Sequence, residues 1–141
     1  MLNYNSAHST IACVQSLLDA HCKESRAYQL GIFVADNASG KEDQRQLQQS
    51  LANLPNGTVN VNPENMGFAA GHNRNLRAIF GHSNPDFVWM LNSDCLVYRE
   101  TLSSLIKSAN RYPDVGIWGA TLLESDGETI QCAGGCFIIP G

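Results

Sequence analysis

Polar side chains follow four short apolar runs, at the points where predicted strands end. In an open α/β sheet, ligands bind at the carboxyl ends of the strands, which meet at one edge. These polar clusters therefore predict a ligand-binding edge. In chain order they are Asn3, Tyr4 and Asn5; Asp36, Asn37, Ala38 and Ser39; Asn62, Pro63, Glu64 and Asn65; and Asn92, Ser93 and Asp94.

Two aspartates in these clusters could do chemistry. When ionised, Asp36 only accepts hydrogen bonds, so it could take the N3–H of uracil or thymine, which cytosine lacks. It could equally cap the turn that follows, as Asp often does. Asp94 follows Asn92 by two residues, which puts both on one face of a strand. Asp94 could hold Mg²⁺ or Mn²⁺ against a diphosphate, or it could be an ordinary turn residue.

Gly67 and Gly71 lie at the start of a helix predicted over residues 68–80. Small residues let a ligand approach the backbone, and the amino terminus of a helix attracts phosphate. The same spacing also suits close packing of a helix on a sheet. Both interpretations stay open on the sequence alone.

The order of apolar residues predicts alternating strands and helices, which would position these clusters. Apolar residues at helical spacing predict helices over 9–21, 42–54, 68–80 and 101–110. Strands are predicted over 1–4, 28–35, 58–62, 87–91 and 115–123, with a hairpin at Asp126-Gly127 that returns through 129–133. The alternation predicts an α/β fold, a mostly parallel sheet with helices on both faces, in a single domain of residues 1–141.

Length and composition exclude several classes of protein. The chain has 141 residues and a net charge of -4, and it lacks the clustered Lys and Arg of a nucleic-acid binder. Its longest apolar run, Phe87–Leu91, is far shorter than the roughly 20 residues of a transmembrane helix, and no signal peptide is visible. Five cysteines without a C-x-x-C pair argue against zinc and indicate reduced thiols in a cytoplasmic protein.

Four ordered motifs together resemble the inverting family 2 glycosyltransferases, which have the Rossmann-like GT-A fold. They are Leu2-Asn3-Tyr4-Asn5, Val34-Ala35-Asp36-Asn37-Ala38-Ser39, the stretch from Asn62 to Asn73, and Met90-Leu91-Asn92-Ser93-Asp94. The rhamnosyltransferase-like group is the most similar, because its DxD-like metal motif often has the form Asn-x-Asp. Pro113-Asp114-Val115-Gly116-Ile117 and the later Ile130-Gln131 with Ala133-Gly134-Gly135 also match that group.

The resemblance implies transfer of a sugar, with inversion, from a UDP- or dTDP-sugar to a glycan or lipid-linked acceptor, as in cell-wall polysaccharide biosynthesis. It implies that Asp36 contacts the base, and that Asp94 binds a divalent cation, Mg²⁺ or Mn²⁺. Asn92 would lie beside the ribose or diphosphate. The full set of donor nucleotide-binding residues that it implies is Asn3, Tyr4, Asn5, Asp36, Asn65, Gly67, Asn73, Asn92 and Ser93.

The sequence also departs from the family pattern. Members usually have a longer first strand and continue beyond Gly141, and the continuation carries the catalytic carboxylate, which nothing here matches. We therefore expect an N-terminal donor-binding portion, truncated at both ends, or a non-catalytic remnant that only binds nucleotide. A receiver-type domain does not fit, because Asn3 and Asn5 supply no carboxylate beside Asp36. We also expect self-association through exposed apolar surface. The resemblance implies peripheral attachment at the inner face of the membrane.

Overall fold

A computed structural model describes residues 1–22, 28–54 and 56–134. The predicted apolar run from Cys136 to Gly141 lies outside these residues. Within them, the chain forms a parallel sheet, a two-stranded antiparallel sheet and the helices that connect them. The elements are β1 (Leu2–Asn3), α1 (Ala7–Cys22), β2 (Ile32–Asp36), α2 (Lys41–Ser50), β3 (Gly57–Val61), α3 (Gly67–His82), α4 (Thr101–Arg111), β4 (Leu122–Leu123) and β5 (Ile130–Cys132).

These elements belong to two compact units, Met1–Tyr98 and Arg99–Gly141. The first unit contains the parallel sheet and helices α1, α2 and α3. The second contains α4 and the antiparallel pair of β4 and β5. No helix in the described part of the chain has the length and apolar character that crossing a bilayer requires.

The parallel sheet has the strand order β1-β2-β3, and its register aligns the carboxyl ends of the strands. Asn3 lies opposite Asp36, and Asp36 lies opposite Val61. The ladder continues past the strands, because the Asn37 N–H donates to the Asn3 carbonyl at 2.8 Å and the Asn62 N–H donates to the Asp36 carbonyl at 2.7 Å. The predicted polar edge is confirmed for these three strands.

Helices cover both faces of this sheet, as the alternation predicts. The Asn3 side chain faces α1 and α2, where it bonds Thr10 and Asp43. Neighbouring residues of a strand point to opposite faces, so Leu2 faces the other side. There it meets α3, because a Cβ added at Gly71 would lie 2.8 Å from the Leu2 Cδ1 atom. The α/β fold class is therefore confirmed.

An apolar core lies between the sheet and the pair of α1 and α2, which pack against each other. Its fully buried side chains include Cys13 and Val14 of α1, Val34 of β2 and Leu47 of α2. Burying an aliphatic side chain of this size contributes about 1.5–3 kcal/mol. This core holds the strand ends in place, since it fixes β2 against the two helices that flank the polar edge.

The strand predicted over 87–91 is wrong, because within the described residues it pairs with no other strand. Leu91 is buried there, but Phe87 and Met90 are 50% and 52% exposed. Residues of high β propensity form a strand only where a neighbour completes the ladder. The strand predicted over 115–123 is wrong for the same reason, except at Leu122–Leu123. The strand predicted over 28–35 is shorter and begins at Ile32.

The second unit contains the predicted hairpin. Leu122 lies opposite Cys132, and Leu123 lies opposite Ile130, with a bulge between them. Asp126 organises the turn, because its carboxylate accepts the backbone N–H groups of Glu128 and Thr129, both at 2.9 Å. The hydroxyl of Thr129 and these backbone bonds lower the pKa of Asp126.

Candidate functional site

Asn3 is the centre of a buried polar cluster at the carboxyl ends of β1 and β2. Its side chain is 0% exposed. Its Nδ2 donates to Asp36 Oδ1 at 2.7 Å, to Asp43 Oδ2 at 2.8 Å and to Ser39 Oγ at 3.1 Å. Its Oδ1 accepts a hydrogen bond from Thr10 Oγ1 at 2.7 Å. One amide thus joins β1, the end of β2, α1 and α2.

The Asp36 carboxylate, predicted to contact a base, is held by the protein. Its Oδ1 accepts from Asn3, and its Oδ2 accepts from the Ser39 N–H and from Gln44 Nε2, both at 3.0 Å. The Ser39 bond is the turn-capping role predicted as the alternative. A carboxylate has about four acceptor positions, and three are filled here. The side chain is 0% exposed, and contact with a base stays a prediction.

Asp43 is a member of this cluster that the sequence motifs do not indicate. Its Oδ1 accepts the N–H of Ala7, the first residue of α1, at 2.8 Å. A carboxylate at the amino terminus of a helix satisfies a backbone donor that has no partner inside the helix, and it interacts favourably with the helix dipole. An acidic residue in the first turn of α2 is visible in the sequence, but nothing there shows that α1 begins beside it.

A second buried cluster surrounds Asn37, at the ends of β2 and β3. Asn37 is 2% exposed and Asn62 is 3% exposed. The Asn37 Oδ1 accepts from Asn62 Nδ2 at 3.1 Å, and its Nδ2 donates to Asn65 Oδ1 at 2.7 Å. Asn65 also accepts the Gly67 N–H at 2.9 Å. This cluster brings the predicted donor residues Asn65 and Gly67 to the end of β2.

Most other predicted donor residues present exposed side chains. Tyr4 is 51% exposed. Asn5 has a φ of 49°, and its Oδ1 accepts the Gly40 N–H at 2.8 Å. Ser93 is half-buried. The predicted residues with exposed side chains, which a ligand could reach, are Tyr4, Asn5, Asn65, Asn73, Asn92 and Asp94.

The two glycines at the start of α3 have different surroundings. A Cβ at Gly71 would meet both Leu2 methyl groups, at 2.8 and 3.0 Å, so this glycine permits close packing of α3 on β1. Gly67 has a φ of 74°, and a Cβ there would meet nothing within 4 Å. The packing interpretation fits Gly71, and contact of Gly67 with a donor stays a prediction.

Residues 92–97 lie beside α1. The Asn92 carbonyl accepts a hydrogen bond from Cys13 Sγ at 3.4 Å, and the Val97 N–H donates to Ser16 Oγ at 3.0 Å. Burial, together with the neighbouring Cys95, raises the pKa of the Cys13 thiol to about 11. Among the described residues, no hydrogen bond joins Asn92, Ser93 or Asp94 to the clusters around Asn3 and Asn37.

A divalent cation would have to be held jointly with its ligand. Within residues 1–22, 28–54 and 56–134, no three His, Cys, Asp or Glu side chains are grouped to hold a metal. Mg²⁺ at nucleotide sites is bound by one or two carboxylates, with waters and phosphate oxygens completing its shell. Asp94 is exposed, and its carboxylate accepts no hydrogen bond from the described residues, which fits such a shared site.

A separate depression of about 460 Å³ lies between α3 and β3. Its lining includes Phe33, Asn60, Arg74 and His82. None of the predicted donor residues belongs to this lining within the part of the chain that the structure describes. Among the predicted donor residues, Asn3, Asn5, Asp36, Asn65 and Gly67 are joined by hydrogen bonds at the polar edge instead.

Comparison with known proteins gives one family. The model of Glycosyl transferase family 2 matches residues 1–131. No curated protein and no solved structure gives a significant match. The matched residues include both buried clusters and every predicted donor residue.

Proposed function

The chain belongs to glycosyl transferase family 2, and on that premise we propose that it binds the nucleotide-sugar donor of an inverting glycosyl transfer. The proposed donor is a UDP- or dTDP-sugar, and the acceptor is a glycan or a lipid-linked sugar. The finer assignments to a rhamnosyltransferase-like enzyme and to the inner face of the membrane belong to the same proposal. The observation that carries it is the family match over residues that also form the polar edge of a parallel sheet.

In the proposed donor pocket, buried residues support the strand ends and exposed side chains offer contacts to the ligand. Asn3 and Asn37 are buried and fix the strand ends, whereas Tyr4 and Asn5 offer an aromatic ring and an amide to the base and ribose. One acceptor position on Asp36 Oδ1 has no partner among the described residues, and it would take the N3–H of uracil or thymine once donor binding exposes this fully buried carboxylate. Asn65, Gly67 and Asn73 stand near the start of α3 to contact the rest of the donor.

Asp94 is the proposed ligand of Mg²⁺ or Mn²⁺, with Asn92 and Ser93 beside the diphosphate. The cation, when bound with the donor, acts as a Lewis acid that stabilises the charge of the departing nucleoside diphosphate. Asp94 would contribute its exposed carboxylate as the protein ligand, and the diphosphate and waters would complete the coordination.

Inversion requires a base that removes the proton of the acceptor hydroxyl as this oxygen attacks the anomeric carbon. Asp126 is a poor candidate, because the hydrogen bonds of Thr129 and Glu128 lower the pKa of its carboxyl. We assign the base to no residue of this chain. The proposal therefore concerns donor binding first and turnover second.

The experiment is titration calorimetry of the chain with UDP and with dTDP, each with and without Mn²⁺. We expect one nucleotide to bind, with an affinity that Mn²⁺ raises at least about tenfold. Asp94→Asn removes the anionic ligand with little change in shape, so it should abolish that Mn²⁺ effect. Asp86→Asn is the matched control, since Asp86 is also an exposed aspartate of the same stretch.

Three results would count against parts of this proposal. Absence of binding for both nucleotides, with or without Mn²⁺, would contradict donor binding altogether. An unchanged Mn²⁺ effect in Asp94→Asn would contradict the metal assignment alone. Tight nucleotide binding without any sugar transfer to added acceptors would favour a non-catalytic nucleotide-binding protein over an enzyme.

A further inference from the structure

Asn37 uses its whole side-chain amide inside the protein. Its Oδ1 accepts from Asn62 Nδ2 at 3.1 Å and from the Met66 backbone N–H at 3.2 Å. Its Nδ2 donates to Asn65 Oδ1 at 2.7 Å and to the Gly67 carbonyl at 3.4 Å. An Asn amide has two donor and two acceptor positions, so all four are filled.

The backbone partners fix the orientation of this amide. The Met66 N–H can only donate and the Gly67 carbonyl can only accept, so exchanging the oxygen and nitrogen of Asn37 would break both contacts. Asn37 is also 2% exposed, which keeps water from competing for these bonds. A buried amide with every position filled holds its neighbours in a single arrangement.

The segment that Asn37 holds is short. It runs from Asn62, at the end of β3, to Gly67, at the start of α3. Asn65 is exposed, and its Oδ1 meets the protein only through Asn37 and the Gly67 N–H among the described residues. Gly67 adopts a φ of 74°, so the backbone turns sharply where the helix begins.

We propose that Asn37 is a positioning residue, which orients Asn65 and the Gly67 backbone toward the nucleotide donor without touching the donor itself. This inference rests on the proposed function, since Asn65 and Gly67 are its proposed donor contacts. Asn37 then acts at the junction of β2, β3 and α3, one residue after Asp36.

We call the four hydrogen bonds by which Asn37 holds residues 62–67 the clamp. The clamp is tested first without any ligand, by measuring hydrogen exchange at single amides of the full chain. Asn37→Ala removes all four bonds, so the amides of Met66 and Gly67 should both exchange at least about tenfold faster. Asn37→Asp has nearly the same shape and keeps the two acceptor bonds. It should leave Met66 protected and accelerate Gly67, because Asn65 loses its donor and faces a carboxylate.

Asn75→Ala is the matched control for a merely structural effect. Asn75 is a buried asparagine of α3, and its Nδ2 bonds the carbonyls of Met1 and Phe33, away from the 62–67 segment. We expect this variant to lower global stability while leaving exchange at Met66 and Gly67 as in the unaltered chain.

Nucleotide affinity is then measured on the same proteins. We expect Asn37→Asp to weaken binding of UDP or dTDP about tenfold, and Asn75→Ala to leave it unchanged. Unchanged exchange at Gly67 in both Asn37 variants would overturn the clamp. Altered exchange with unaltered affinity would overturn the positioning role. A chain that binds neither nucleotide would overturn the proposed function and the positioning role with it, while the exchange data would still decide the clamp.

Discussion

At the scale of single residues, the polar edge depends on buried amides that hold carboxylates. Among the residues that the structure describes, Asp36 and Asp43 have no cationic partner, and both accept hydrogen bonds from Asn3. Buried carboxylates are stable only when their acceptor positions meet donors. Asn3 and Asp36, which the motifs mark as ligand contacts, thus also help to assemble the edge.

Asn3→Ala should be strongly destabilising, because it leaves two carboxylates and the Thr10 hydroxyl without their buried partner. We expect a loss of about 3 kcal/mol in the free energy of unfolding, measured by urea denaturation. Asn60→Ala is the control, since Asn60 is an exposed asparagine on β3, and it should change stability by less than about 0.5 kcal/mol. Equal effects of the two substitutions would show that the Asn3 cluster adds no stability.

Cys13 predicts a dependence of stability on alkaline pH. Burial first, and Cys95 second, raise the pKa of its thiol from 9.0 to about 11 in the folded chain. Because the folded pKa is the higher one, the contribution is fully present below pH 9 and is lost as pH rises toward 11. We expect the urea midpoint to fall over this range, and to fall less in Cys13→Ala. A parallel fall in both proteins would assign the effect to other groups.

At the scale of elements, the sequence predicts the helices and the first three strands because each has its own apolar pattern. The residues 87–91 have the same apolar character as β2, yet they form no strand, since pairing depends on a neighbour that a local pattern cannot reveal. The same contrast between local pattern and tertiary contact applies to the residues of the site. Asn3 and Asp36 follow from their places after strands, whereas Asp43 belongs to the cluster only because α1 and α2 begin side by side.

Two glycines predict opposite effects of the same substitution. Gly57→Ala places a Cβ 2.5 Å from the Ile32 carbonyl oxygen, a backbone atom of the sheet, and 2.5 Å from Leu54 Cδ2. It should cost about 1–3 kcal/mol of unfolding free energy. Gly81→Ala lies in α3 with nothing within 4 Å of the new Cβ, and should gain about 0.5–1 kcal/mol. Thermal unfolding of both variants checks the two signs, and a stabilised Gly57→Ala would contradict the packing at the start of β3.

At the scale of the whole molecule, one family match extends over both compact units. It covers residues 1–131, and the division between the units falls at Tyr98 and Arg99. The match thus covers the whole first unit and residues 99–131 of the second. The polar edge itself lies in the first unit, while the second contributes α4 and the hairpin of β4 and β5.

Exposed apolar side chains in the first unit predict self-association. Leu96 is 70% exposed, Phe68 is 61% exposed and Phe80 is 57% exposed. A net charge of -4 provides little repulsion between copies. We expect the sedimentation coefficient to rise with protein concentration, and Leu96→Lys to reduce that rise. The prediction would be contradicted if the chain stayed monomeric over an about hundredfold range of protein concentration that begins on the order of micromolar.

The Asn3 cluster also sets an order of events during synthesis. Asn3 meets Asp36, Ser39 and Asp43 across separations of 33, 36 and 40 residues. Contacts between distant residues form only after the chain has lost the entropy of closing the loop between them. A nascent chain that ends before Asp43 holds the Asn3 amide without its second carboxylate and leaves the first N–H of α1 uncapped. The polar end of β1 is therefore completed only once the chain has been made through Asp43 of α2.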